Sequence, residues 1–225
     1  KELAEGGFGT VYLAKDADSE QKFALKQMYC QTREQLRDAN TEMDALRRFA
    51  KVPEIIDLVD SSVSVSKAHT NNTKVVMMLF PLYTEGTVWD LVERAGGSEQ
   101  HLHPGPWPFD ERTGLSIIKS VASGLQAMHD AGFAHRDVKP HNILLKNNRP
   151  VIMDLGSVTR ARTQVRNRGQ ALDVEEEAAS KTSPAYRAPE LMQTPTNCDI
   201  DERVDVWALG CTMFRTISSK AISSR

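Results

Sequence analysis

The chain carries the run His135-Arg136-Asp137-Val138-Lys139-Pro140-His141-Asn142 and, a dozen residues further on, Asp154-Leu155-Gly156. No other feature restricts the fold as tightly, because the pattern requires a short loop pair that delivers two carboxylates, an amine and an amide to one place. The three residues His135 to Asp137 alone would recur by chance and read as a surface loop with a solvated ion pair. Each further fixed position at this spacing multiplies the odds against coincidence. The residue types suit phosphoryl transfer, where the protein makes few bonds itself and relies on metal-neutralised phosphates, an oriented hydroxyl and a base to receive its proton. Asp137 is the candidate base, Lys139 the candidate cation for the transferring group, and Asn142 and Asp154 the candidate oxygen ligands of Mg2+.

The amino-terminal end tests this reading. Residues 3–14, LAEGGFGTVYLA, read as a glycine-rich hairpin, with Ala4, Gly6, Gly9 and Val11 on the frame G-x-G-x-x-G-x-V and alanine standing for the first glycine. Gly6 and Gly9 let main-chain N–H groups approach phosphate without an intervening Cβ, and Glu5 and Gly7 complete the candidate phosphate loop. The strand KFALKQM comes next, and its Ala24-Leu25-Lys26 matches the V-A-I-K pattern whose lysine grips the α- and β-phosphates. A lysine in a strand is ordinarily a solvated edge residue, so this role needs an acidic partner. Glu42 supplies one: from Thr32 to Phe49, Leu36, Ala39, Met43, Leu46 and Phe49 recur at helical intervals, and Glu42 lies one turn before Leu46. The plainer alternative for Glu42 is a solvated helix carboxylate.

Composition excludes several other classes. With 225 residues, 40% of them hydrophobic, and a net charge of −2, the chain can bury a sizeable core. The charges are scattered with both signs, and no basic block tracks a nucleic-acid backbone, so no nucleic acid is expected as a partner. Cys30, Cys198 and Cys211 are far apart, with no C-x-x-C pair for zinc, and read as reduced structural thiols. No run of about 18 apolar residues is present to span a bilayer, and no secretory signal peptide is seen.

Together with EGTVWDLVE, VIMDLGS, SPAYRAPEL and IDERVDVWALGC, these motifs resemble a eukaryotic protein kinase, and within that group the Numb-associated kinase family, with its myristoylated and palmitoylated serine/threonine branch nearest. The resemblance covers residues 1 to about 214, and DLGS replaces the usual D-F-G. It implies an α+β, two-lobed protein kinase-like fold with a β-rich N-lobe over residues 1–82 and a helical, partial C-lobe over 83–225, truncated after the helix the family calls αF. It implies ATP and Mg2+ as cofactors, a protein substrate, and a cytoplasmic location. Peripheral association with Golgi or other membranes is a further expectation, through a lipidated N-terminus outside this sequence.

The resemblance also assigns residues. Phe80 guards the back of the nucleotide pocket, the Pro81 carbonyl and the Tyr83 main chain face adenine, and Leu144 joins the nucleotide-binding set. His135 is a packing residue whose backbone is tied to Asp205 and which forms a column with Leu46 and Leu155. Ser183 takes the place of a threonine that braces Asp137 and Lys139. Lys139 two residues after Asp137 is the serine/threonine form, with tyrosine dual specificity left open. Arg136 is the type of residue that pairs with a phosphate on the activation segment, for which Thr159, Thr163, Ser180 and Thr182 are candidate acceptors.

The remaining stretches carry less chemistry. Residues 61–74, SSVSVSKAHTNNTK, read as a loop extension, and residues 95–109 as a Gly/Pro-rich connector between a Gly86 to Arg94 helix and a helix capped by Asp110. His101 and His103, at i, i+2 with no third ligand, read as a solvated loop. A buried stripe of Leu115, Ile118, Val121, Leu125 and Met128 is expected on the Asp110 helix, which Gly132 ends. Arg160, Arg162, Arg166 and Arg168 precede the acidic ALDVEEEAASK, so the segment folds on itself by opposite charge or both patches are simply solvated. Past Phe214 the chain ends in RTISSKAISSR, which predicts a Glu190 without its usual arginine and an uncovered apolar face from Val204 to Phe214. That prediction keeps a catalytically impaired nucleotide- or partner-binding fragment as the alternative to an active enzyme.

Overall fold

The computed structural model describes residues 1–6, 9–66, 73–95, 109–147 and 149–216. The chain forms two compact units, Lys1–Thr84 and Glu85–Arg225.

The first unit is a five-stranded antiparallel sheet with one helix. Strands β1 (Glu2–Gly6), β2 (Gly9–Lys15), β3 (Lys22–Cys30), β4 (Asp60–Val65) and β5 (Lys74–Pro81) lie in the order β1-β2-β3-β5-β4. Helix α1 (Arg33–Phe49) starts at a capping box, in which the Thr32 hydroxyl accepts from the Gln35 N–H and the Gln35 amide oxygen accepts from the Thr32 N–H. Its apolar face buries Ala39, Met43, Ala45, Leu46 and Phe49. The stretch expected to be loop begins instead as strand. Ser61 to Val65 pair residue by residue with Met78 to Lys74, because alternating Ser and Val suit a sheet edge whose side chains stay wet.

In the second unit, α2 (Val88–Arg94) begins two residues later than expected. Gly86 adopts φ +83 and Thr87 caps the helix, its N–H bonded to the Asp90 carboxylate. A Cβ at Gly86 would strike that same carboxylate. Helix α3 (Glu111–Asp130) is capped by Asp110 and followed by Gly132 at φ +81. Its buried stripe is Gly114, Ile117, Val121, Gly124, Leu125 and Met128. Leu115, placed in that stripe from its apolarity, is exposed and Ile118 is half-buried, since two small glycines take the positions of closest packing.

Short strands complete the β structure: β6 (Phe133–Ala134) pairs with β9 (Thr159–Arg160), β7 (Ile143–Lys146) with β8 (Arg149–Ile152), and β10 (Thr163–Val165) with β11 (Cys198–Ile200). Helices α4 (Arg168–Lys181), α5 (Pro189–Met192) and α6 (Arg203–Thr216) follow in the same unit. Val165, Ala171, Ala178, Ala188, Leu191, Ile200 and Val204 form one buried cluster, so residues 163–204 share a core. On α6, Val204 and Ala208 belong to the interior while Val206, Trp207 and Phe214 are exposed. The uncovered face is therefore offset from the one expected. His101 and His103 lie outside the described residues.

Candidate active site

The register of the first unit gathers its candidate residues on one face. Ala4, Val11, Lys26, Met78 and Ser61 are successive cross-strand partners, and Ala24 stands opposite Phe80 in the neighbouring row. Residues two apart on a strand share a face, so Ala4, Val11, Ala24, Lys26 and Phe80 lie together. Helix α1 lies over this face, because Lys26 Nζ reaches Glu42 Oε1 at 2.6 Å and Oε2 at 2.9 Å. Both side chains are largely buried, 14% and 4% exposed, which rules out the solvated alternative for either.

Gly9 closes the β1–β2 hairpin opposite Gly6 at φ +125, where a Cβ would collide with the Gln27 carbonyl oxygen. The side chain of Glu5 and all of Gly7 lie outside what the structure describes. Pro81, with no N–H to give, ends β5 opposite Phe23. Tyr83 comes two residues later, and burial, with Asp57 nearby, pushes its phenol pKa up.

In the second unit the catalytic-loop candidates converge on Asp137. Its Oδ2 meets Lys139 Nζ at 2.7 Å and accepts from Asn142 Nδ2 at 3.0 Å, while Oδ1 accepts from the Ser183 N–H at 2.9 Å. Lys139 Nζ also donates to Ser183 Oγ at 2.7 Å. Burial pushes the Asp137 carboxyl up, but the bond and charge of Lys139 together with Ser183 outweigh it and hold the group below its ordinary value. Asp137 is therefore a carboxylate, and a weak base, at neutral pH. Asn142 Nδ2 donates to both the carbonyl and the carboxylate of Asp137, which orients its amide with the oxygen turned away from them.

The loop is held from below by one buried acid. Asp205, on α6, is 0% exposed and accepts from the His135 N–H, the Arg136 N–H and His129 Nε2, each at 2.8 Å. Burial pushes its pKa up, and the His129 bond and the two main-chain donors more than reverse this, leaving it lowered. Those bonds hold Arg136 at φ +70, a conformation that costs a non-glycine residue about 1–3 kcal/mol. His135 Nδ1 accepts from the Asp137 N–H and Nε2 donates to the Met153 carbonyl, both at 3.2 Å, so neither ring nitrogen is left to shuttle protons.

Asp154 sits at φ +61 as the cap of a 3-10 turn, Leu155–Ser157, with Oδ1 near the Gly156 N–H at 3.4 Å. The donor set of Asn142 and Asp154, an amide oxygen and a carboxylate, fits a hard cation. Among the described residues no group of three His, Cys, Asp or Glu forms a cage. Magnesium is commonly bound through one or two protein oxygens together with substrate phosphates.

A family model described as protein kinase domain matches residues 1–225, the whole chain. The chain belongs to the protein kinase domain family. A probable serine/threonine-protein kinase of Dictyostelium discoideum is 33% identical over 273 residues, 94% of this chain and 73% of that protein. Serine/threonine-protein kinase 16 of Rattus norvegicus and of Homo sapiens are each 36% identical over 95% of this chain and 67% of their own length.

Several residues that hold this arrangement carry little or no signal in the sequence. His129 has only its place in the last turn of α3, and Ser157, Thr182 and Arg187 bond main-chain carbonyls or each other's side chains in ways that sequence does not reveal. The arginine-rich stretch also sorts differently from the expectation. Arg168 alone pairs with the acidic helix, at Glu175, whereas Arg166 meets Asp199, Arg162 meets Glu202, and Arg160 lies over the Phe133 ring. Arg136 donates to the carbonyls of Arg160 and Ala161, and its buried Nε has no hydrogen-bond partner among the described residues.

Proposed function

We propose that this chain is a serine/threonine protein kinase that transfers the γ-phosphate of ATP to a hydroxyl of a protein substrate. The arrangement that carries the proposal is the cluster of Lys139, Asn142 and Ser183 on the two oxygens of Asp137. The names of its relatives agree with serine/threonine specificity. In this reading residues 1–82 act as the N-lobe and 83–225 as the partial C-lobe.

Asp137 orients the acceptor hydroxyl and takes its proton late, as bond formation to phosphorus acidifies it, since a carboxylate with a lowered pKa is a poor base before that point. Lys139 lies within reach of the same place and offsets negative charge on the group in flight. Lys26, aimed by Glu42, binds the α- and β-phosphates, and the β1–β2 hairpin from Ala4 through Gly7 and Gly9 to Val11 covers them. Ala24, Phe80, the Pro81 carbonyl, the Tyr83 main chain and Leu144 enclose adenine. Asn142 and Asp154 would hold magnesium, which would neutralise charge on the phosphates.

Membership of the Numb-associated family is proposed on the DLGS and SPAYRAPE motifs and on the helix between them. Peripheral membrane association by acylation is proposed on the same resemblance, and among the described residues no helix is long and apolar enough to cross a membrane.

Incubation with Mg-ATP and a generic serine/threonine peptide, with Asp137→Asn and Asp154→Asn as controls, tests the assignment. Phosphate transfer that both substitutions abolish supports it. Nucleotide-dependent thermal stabilisation without any transfer would replace it with a nucleotide-binding module.

A further inference from the structure

We propose that Ser157 is a positioning residue that couples the metal-holding turn to the segment holding the catalytic base. The inference rests on the roles of Asp154 and Asp137 proposed above. Ser157 ends the 3-10 turn that Asp154 caps, and its side chain is buried. Its Oγ donates to the carbonyl of Lys181, 24 residues away, at 2.6 Å. Lys181 is the last residue of α4, and the final carbonyls of a helix have no partner within it. Such a carbonyl takes its partner from outside the helix ladder, and here Ser157 supplies it.

The residues just after Lys181 give that bond its consequence. Thr182 is fixed on both faces, its Oγ1 donating to the Ala178 carbonyl at 2.8 Å and accepting from Arg187 Nε at 2.6 Å. Arg187 Nη2 donates to the Thr182 carbonyl at 2.7 Å. The next residue, Ser183, gives its N–H to Asp137 Oδ1, and its hydroxyl oxygen accepts from Lys139. A continuous path therefore runs from Asp154 through Ser157 Oγ to the Lys181 carbonyl, across Thr182, and through the Ser183 N–H to Asp137. The 157–181 segment is a loop whose two ends are tied to each other next to both functional carboxylates. Ser157 touches no reacting atom, so its effect is on alignment.

Loss of the hydroxyl lets the Ser183 N–H drift from Asp137, and sub-ångström to ångström misplacement of a reacting group costs between about ten- and a hundredfold in rate. Ser157→Ala is expected to lower kcat about tenfold while KM for Mg-ATP and for peptide stays within about twofold. Ser157→Thr keeps the hydroxyl, and a cavity of about 30 Å3 bordered by Ser157, Thr159, Thr182 and Arg136 gives its methyl room. It is expected to return kcat to within about twofold of the parent. Hydrogen exchange at the Ser183 amide, which needs no turnover, is expected to speed up severalfold in Ser157→Ala and to leave β3 amides unchanged. An unaltered kcat, a KM effect alone, or unchanged Ser183 protection would overturn the proposal. If the parent chain transfers no phosphate, the kinase assignment fails, and the exchange measurement alone then decides whether Ser157 holds Ser183.

Discussion

Removing the Asp205 carboxylate is the sharpest test of how this catalytic loop is held. Asp205 is fully buried and accepts two main-chain N–H groups and His129 Nε2. Asp205→Ala strands all three donors, and at about 1–3 kcal/mol per buried unsatisfied group the variant should lose about 3–9 kcal/mol. Against the 5–15 kcal/mol typical of a domain, roughly, that is a large fraction of the total. Asp205→Asn keeps one oxygen and turns an NH2 toward one donor, so about 1–3 kcal/mol is expected. Both are read from urea unfolding midpoints at pH 7.

The same carboxyl sets a pH signature, because its folded pKa lies below the ordinary value of 3.8. A lowered folded pKa stabilises at every pH above the unfolded value, and the contribution fades only as pH falls through the folded one. The stability gap between the parent and Asp205→Asn should therefore stay level from pH 8 to pH 5 and shrink only below about 4. A loss under about 1 kcal/mol for Asp205→Ala, or a gap that closes between pH 7 and pH 5, would refute the reasoning.

The same geometry sets other outcomes. Lys26→Met removes the cation from the largely buried ion pair with Glu42 and should cost about 3–5 kcal/mol, read as a lowered Tm together with lost phosphate transfer. The double variant with Glu42→Leu should recover much of the Tm and none of the activity. Gly9→Ala should weaken Mg-ATP binding measured by calorimetry, since the left-handed backbone and the Gln27 carbonyl both refuse a Cβ. Glu175→Ala should destabilise more than Arg168→Ala in thermal unfolding, because Glu175 also accepts the Thr194 N–H at 3.0 Å whereas Arg168 is 60% exposed and its pair is worth under about 1 kcal/mol. Asp137, already held below its ordinary pKa, should impose no fall in kcat between pH 8 and pH 5.

The motifs that carry chemistry were legible because phosphoryl transfer demands particular side chains at short, fixed separations. Asp137, Lys139 and Asn142 sit within one turn-sized stretch, so their meeting is nearly a local property of the chain. Lys26 was readable from the Ala24-Leu25-Lys26 motif and Glu42 from helix periodicity, and the ion pair at 2.6 Å joins them. Apolarity misled at Leu115, where Gly114 and Ile117 took the interior, because what packs closest against α3 is decided by the neighbouring surface and not by the residue's own preference. It misled again at Ser61 to Val65, whose polarity suggested loop although an edge strand tolerates it.

By itself the sequence determined the residue types of the site and their local spacing, both of which depend on neighbours along the chain. The tie between the His135 backbone and Asp205 was expected from the resemblance; only the tertiary structure decided that Ser157 meets the Lys181 carbonyl, that Arg187 holds Thr182, and that Asp205 also gathers His129 and the Arg136 N–H. Those bonds run to main-chain atoms or across tens of residues, and every residue but proline carries the same main-chain donor and acceptor. Which of them are left without a partner, and so must be met by a distant side chain, is settled only when helices end and pack.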